Sequence, residues 1–332
     1  VTYPYAGMQA PPFIWGQLKG HPEKVHEWIR PVTPGSEGFQ GEADALVYGI
    51  PLSRSSISPS AASAFPEACR RSWKGFSTYN LDEDVDLSKL TVYDLGDTEQ
   101  HVTDISRCHE NIVRAVSDIR KKHPDPVLMA IGGDHSVTAK TIRGLKEAEP
   151  DAKIGLLQLD THFDLRDPAE LGPANGTPVR QLIEQELVEG KHVYNIGLHG
   201  FFNSRSLKEY ADAHQVQYIT LKKARKMGVG KMVEHALWEL SQEVDHIYFT
   251  CDMDVLDMAY APGVPATTPG GMRTDELFEA ALVCGGHEKV SAMDIVCLDP
   301  EKDVAGMTVK AGTHVMLSFL TGVAVREKQN GI

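Results

Sequence analysis

The stretch Ile154-Gly-Leu-Leu-Gln-Leu-Asp160-Thr-His162-Phe-Asp164 decides the fold of this 332-residue chain. Its apolar half lacks both helical spacing and strict alternation, as expected of a short strand buried on both faces. It runs directly into three ligand-type side chains. Residues two apart on an extended chain share a face, so Asp160, His162 and Asp164 can converge.

The pattern recurs in His246-Ile-Tyr-Phe-Thr-Cys-Asp252-Met-Asp254. A third apolar run, Val127-Leu-Met-Ala-Ile-Gly-Gly-Asp-His135, delivers His135 after a glycine pair that permits close backbone approach. Four carboxylates and two imidazoles, with no thiolate required, suit a pair of divalent ions, Mn²⁺ first, better than a structural zinc. A lone Asp-x-Asp is ordinarily a solvated turn. Two same-face acidic sets at the ends of buried strands are not, because unpaired buried charges are costly. A calcium loop over Asp252, Asp254 and Asp257 lacks the glycine turn and distal glutamate at the required offsets.

Eight strands are expected, near residues 46–50, 91–95, 127–132, 154–159, 192–197, 216–220, 246–251 and 290–296. Helical patterns separate them: Asp104 to Lys122, Ser136 to Ala148, Pro178 to Val188, Ser204 to His214, Gly230 to Glu243, Thr274 to Gly285 and Val304 to Val325. Such alternation predicts an α/β fold with a mainly parallel sheet covered by helices on both faces, and a site beyond the carboxyl ends of the strands. Residues 1–332 read as a single domain, with proline-rich residues 1–40 as an irregular amino-terminal arm.

The net charge of -13, without a long basic run, argues against nucleic acid or an anionic membrane as partner. No apolar stretch in the bare sequence reads as approaching the ~20 residues that span a bilayer, and Val1 to Tyr5 carries no signal-peptide pattern. Cysteines 69, 108, 251, 284 and 297 are scattered and odd in number, as reduced core thiols are. A cytoplasmic location is therefore expected.

Gly132-Gly-Asp-His-Ser136, Asp160-Thr-His-Phe-Asp164 and Cys251-Asp-Met-Asp-Val-Leu-Asp257, in this order, resemble the ureohydrolase superfamily of arginases, agmatinases and formimidoylglutamases. Thr91-Val-Tyr-Asp-Leu-Gly-Asp97, Ala261-Pro-Gly-Val264, Pro269-Gly-Gly271 and Met293-Asp-Ile-Val296 extend the resemblance from about Leu46 to the carboxyl terminus. It implies an arginase-like three-layer α/β/α fold and two Mn²⁺ ions per chain that activate a shared water. It further implies that His135, Asp160, Asp164 and Asp252 hold one ion and Asp160, His162, Asp252 and Asp254 the other, with Asp160 and Asp252 bridging. Asp164 would also carry the proton to the leaving nitrogen.

The segment Asp164-Leu-Arg166 through Asn175-Gly-Thr-Pro-Val-Arg180 looks most like the bacterial formimidoylglutamase branch. That branch acts on a small-molecule amidine with two carboxylates, releasing glutamate and formamide, for which guanidinium forks are suited. Arg166 is the first candidate, then Arg180 and Arg205, with Asn175 a further substrate contact. A guanidino-compound hydrolase releasing urea is the competing enzyme reading. A metal-binding homologue with little catalysis is the third, because Asp294-Ile-Val-Cys297 has a thiol where the family's glutamate binds the cationic group. Cys297 is thus a candidate substrate contact, and His199, where relatives usually have arginine, a candidate proton shuttle. Relatives are usually trimers or hexamers, so a homo-oligomer is expected.

Overall fold

The computed structural model describes residues 3–16, 20, 22–39 and 41–330. Val1 and Thr2, part of the segment read above for a signal pattern, lie outside the described residues, as do positions 17–19, 21 and 40 of the arm.

All eight expected strands form: β1 (Ala45–Gly49), β2 (Val92–Thr98), β3 (Val127–Ile131), β4 (Ile154–Leu159), β5 (Val193–Ile196), β6 (Gln217–Ile219), β7 (His246–Asp252) and β8 (Val290–Val296). They pair in parallel in the order β2-β1-β3-β8-β7-β4-β5-β6. The helices are α1 (Phe65–Ser72), α2 (Ile105–Lys122), α3 (Ser136–Ala148), α4 (Pro178–Glu184), α5 (Arg205–Ala213), α6 (Leu221–Met227), α7 (Val229–Ser241), α8 (Thr274–Gly286) and α9 (Met307–Asn330). One apolar core joins the sheet to α1, α6, α7, α8 and α9, and a second joins it to α2, α3, α4 and α5. Helices therefore cover both faces, which is why β3 is apolar throughout and β4 and β7 are apolar but for a few side chains such as Gln158 and Thr250.

Three features differ from the sequence reading. The arm is not wholly irregular: Met8–Gln9 and Arg30–Pro31 both pair with β2, and Val25–Trp28 makes one helical turn. Helices α1 and α6 escaped the periodicity reading because both are short, and α6 buries only Leu221 and Ala224 among its cations. Third, the Met307–Arg326 part of α9 is, by length and composition alone, long and apolar enough to cross a membrane, a stretch the reading of the bare sequence passed over. Of its most apolar 18 residues, 78% are buried within the protein, as in the core helix of a globular domain. Gly285 and Gly322 let α8 and α9 approach so closely that a Cβ at either would collide with the opposing backbone.

The Thr91 to Asp97 motif has a structural use. Buried Arg70 on α1 donates to Asp94 (2.7 and 2.9 Å) and Asp97 (2.7 Å), tying that helix to β2 through one guanidinium shared by two carboxylates.

Candidate metal centre

Four adjacent strands, β3-β8-β7-β4, end together. Ile131, Ile295, Cys251 and Leu159 are register partners across them, so the residues just beyond emerge at one level. That places Asp252 and Asp160 side by side, with the Gly132-Gly133 turn leading to His135. Gly133 is required there, because a Cβ would collide with the Leu52 carbonyl oxygen. Asp164 and Cys297 adopt φ values of +55° and +63°, a left-handed conformation uncommon outside glycine that concentrates at functional sites.

The side chains form two groups that could each hold a cation: His135, Asp160, Asp164 and Asp252, and Asp160, His162 and Asp254. In each, the ligand atoms lie within 4.8 Å of one another. His135 Nδ1 is 2.7 Å from Asp164 Oδ2, 3.1 Å from Asp252 Oδ2 and 3.3 Å from Asp160 Oδ2. Despite this proximity, His135 Nδ1 and Asp164 Oδ2 are buried without a properly directed hydrogen bond, as donors to a shared cation would be. The all-oxygen-and-imidazole donor set fits Mn²⁺. Asp160 belongs to both groups. Asp252 appears only in the first, and its Oδ1 accepts from the Asp254 amide (2.9 Å). Asp160 is thus the side chain that the two groups share.

Electrostatics agree. Burial works against charging the imidazoles, yet Asp254 and Asp160 raise His162 to about 12, and the carboxylates around His135 raise it well above its ordinary value. Burial would likewise raise Asp160, but hydrogen bonds and charge from His135 and His162 hold it below the usual carboxylate range. Burial and the charge of Asp160 push Asp164 up to about 6.

A buried relay sets the orientation of His135. Its Nε2 lies 2.9 Å from Thr250 Oγ1, which donates to Asp294 Oδ1 (2.6 Å). Asp294 also accepts from Thr138 Oγ1 (2.6 Å) and Tyr248 OH (2.8 Å). With its proton committed to Asp294, the Thr250 hydroxyl accepts from His135 Nε2–H and leaves Nδ1 free to ligate. Thr250→Val is expected to weaken metal binding about 10- to 100-fold, measured against a competing chelator. Unchanged affinity would mean that packing alone holds the ring.

Thr250, Gln158 and Asn203 were missed by sequence reasoning. Gln158 Nε2 donates to Asp160 Oδ2 (2.5 Å), and Asn203 holds the ligand-bearing segment through Phe163 N (2.9 Å) and Thr161 O (2.9 Å). A glutamine inside an otherwise apolar buried strand was the available signal for the first. Nothing marked Asn203.

The remaining candidates separate. Cys297 is buried, and burial together with nearby Asp252 pushes its thiol well up, so it faces the cluster as a neutral group. Arg166 is exposed and has no ion-pair partner among the described residues. Arg180 instead pairs with Asp167 (3.0 Å) and Glu184 (2.7 Å) and lies over the Tyr210 ring, which satisfies its guanidinium within the protein. Asn175 Oδ1 accepts from the Ile57 amide (2.8 Å), pinning its loop to the one after β1. His199 is not brought to the ligands: Nδ1 lies 3.0 Å from Gly197 O, and Nε2 lies 3.3 Å from both Pro269 O and Thr268 Oγ1.

Comparison with known proteins places this geometry. A formimidoylglutamase of Halalkalibacterium halodurans is 36% identical over 324 residues, 98% of each chain. The crystal structure of Bacillus subtilis formimidoylglutamase matches with a TM-score of 0.84 at 35% identity, covering 91% of this chain and 92% of that one. An oxidized Trypanosoma cruzi formiminoglutamase with Mn²⁺ at pH 8.5 matches with a TM-score of 0.76 at 26% identity, over 86% of this chain and 94% of that one. Residues 43–322, which hold every ligand of the two clusters, match the Arginase family, and the chain belongs to that family.

Proposed function

We propose that this chain is a Mn²⁺-dependent hydrolase that converts N-formimidoyl-L-glutamate and water to L-glutamate and formamide. The observation that carries the reading is the pair of buried ligand groups sharing Asp160, in a chain that matches a formimidoylglutamase from end to end. His135, Asp160, Asp164 and Asp252 would hold one ion, and Asp160, His162 and Asp254, joined by Asp252, the other. Two such cations supply Lewis acidity and hydroxide at neutral pH.

The chain's own residues do the rest. The net reaction forms a bond from the water oxygen to the formimidoyl carbon and breaks that carbon's bond to the glutamate nitrogen, giving formamide and glutamate. Asp164, a carboxylate beside the reacting centre, would take the proton from the attacking water and pass it to that nitrogen. Arg166, without an internal acid partner, pairs with the carboxylate beside the amidine. The neutral thiol of Cys297 cannot make the charge-assisted contact that a guanidinium requires. Asp299 cannot substitute for it, since its oxygens accept from the amides of Ala61, Glu301 and Lys302. This favours amidine over guanidino substrates. His199, held between backbone carbonyls, is assigned to loop structure rather than proton transfer.

Five free, buried cysteines support a reducing, cytoplasmic setting. Exposed Phe201 and Trp238 support a homo-oligomer.

Kinetics with Mn²⁺-loaded protein on formimidoyl-glutamate, agmatine and arginine test the reading, which fails if agmatine or arginine turns over as well as the amidine. In the same assay Arg166→Ala is expected to cost about 1.5–3 kcal/mol in kcat/KM for formimidoyl-glutamate and little for a neutral amidine. Equal losses would make Arg166 structural.

A further inference from the structure

From Asp160 to Phe163 the chain has left β4 and belongs to no strand or helix, yet it is largely buried. Its N–H and C=O groups need partners there. Side chains provide them. The Thr161 N–H donates to Asp254 Oδ1 (3.2 Å), and the His162 N–H to Asp160 Oδ1 (2.6 Å). The peptide joining His162 to Phe163 is gripped at both ends. Its carbonyl accepts from Asn195 Nδ2 (2.8 Å) and, at longer range, from Gln158 Nε2 (3.5 Å), while its N–H donates to Asn203 Oδ1 (2.9 Å). Asn203 Nδ2 also donates to Thr161 O (2.9 Å), so one side-chain amide spans His162.

Asn195 lies in β5 between buried Tyr194 and Ile196, where an amide is costly unless it is used. Turning that amide over would set its oxygen against the His162 oxygen, so the donor must face the carbonyl. Its Oδ1 has no hydrogen-bond partner among the described residues, and the side chain therefore tolerates an unpaired acceptor to keep this one contact. Asn195 also ends a row. It is the register partner of Gln158, Gln158 that of Thr250, and Thr250 that of Asp294, which places buried polar side chains at one level across β5, β4, β7 and β8. At one end Asp294 and Thr250 act on His135, and at the other Gln158 and Asn195 act on Asp160 and the His162 carbonyl. His135 belongs only to the first ligand group and His162 only to the second.

We propose that Asn195 is a positioning residue for the ion held by Asp160, His162 and Asp254. It fixes the His162–Phe163 peptide from the sheet side while Asn203 fixes it from the other, and the imidazole is thereby aimed at that ion. The two ends of the polar row thus set the two ions separately. The assignment rests on the two-ion centre proposed above and adds what holds its second half.

Mn²⁺ titration of the full-length protein tests it, followed by calorimetry and by electron paramagnetic resonance. Asn195→Leu, which keeps the volume and removes the donor, is expected to weaken one ion about 10- to 100-fold and leave the other unchanged. At two equivalents of Mn²⁺ the spectrum should change from that of a spin-coupled pair to that of an isolated ion, matching His162→Ala and not His135→Ala. Excess Mn²⁺ should restore the coupled signal. Asn203→Ala frees the same peptide from a half-buried position and should give the same asymmetric loss, so the test does not depend on the buried substitution alone. Equal weakening of both ions in the two variants, or unchanged affinities, would overturn the assignment. A wild-type protein that takes up a single ion would refute the paired centre and the assignment with it, whereas two ions in the wild type with symmetric losses in the variants would refute the assignment alone.

Discussion

Asp160→Ala should abolish turnover and leave the protein unable to retain either divalent ion. Asp160 is the residue common to both ligand groups, accepts from the His162 amide (2.6 Å) and from Gln158, and is fully buried. Removing it deletes a ligand from each coordination sphere and the acceptor that orients the His162 segment. Asp252→Ala, which removes a carboxylate proposed for both ions, should also lose activity and at least one ion. Elemental analysis of the purified variants gives the count. Two tightly held ions in Asp160→Ala would remove the shared-ligand arrangement.

The second large effect is on pH. In the metal-free protein His162, raised to about 12, and His135, raised well above its ordinary value, each hold a proton near neutrality. The sign follows from linkage. A raised histidine stabilises the metal-free fold fully below its unfolded value of about 6.5 and loses that contribution only as pH climbs through the folded value, so the contribution persists across neutrality. Cations need both imidazoles neutral, so binding releases at least two protons, and one more wherever Asp254, pushed well up by burial and the charge of Asp252, is protonated. Mn²⁺ affinity should therefore rise at least about 100-fold per pH unit between pH 7 and 9. Below pH 6 the slope should steepen, because Asp164 then takes a proton as well. Chelator competition at several pH values measures the slope, and a flat profile would mean that the imidazoles are already neutral without metal.

The eight strands and their buried character were legible because a parallel sheet covered on both faces demands near-continuous apolar runs, and three of the runs, β3, β4 and β7, lead into ligands. Convergence of Asp160, Asp252 and His135 was legible for the same reason: each sits at a strand end, where the site of an open α/β sheet lies. The neighbours that act sideways were not legible. Thr250 reaches His135 across 115 residues of sequence, and no local pattern marks such a contact. Arg180 shows the converse. Its place in a suggestive motif says nothing of Asp167 and Glu184 waiting beside it. Asp294 was quoted for its motif, but its function as the acceptor of three hydroxyls depends on side chains from α3 and β7. The arm's strands were hidden because two-residue pairings carry no periodicity.

The most direct test is to supply Mn²⁺-loaded protein with N-formimidoyl-L-glutamate labelled with ¹³C at the formimidoyl carbon and to follow the label by NMR. Transfer of the signal to formamide, with L-glutamate appearing in equal amount and no label entering N-formylglutamate, is the predicted result. Label accumulating in N-formylglutamate with release of ammonia, or remaining in the substrate while the protein holds both ions, would contradict the account.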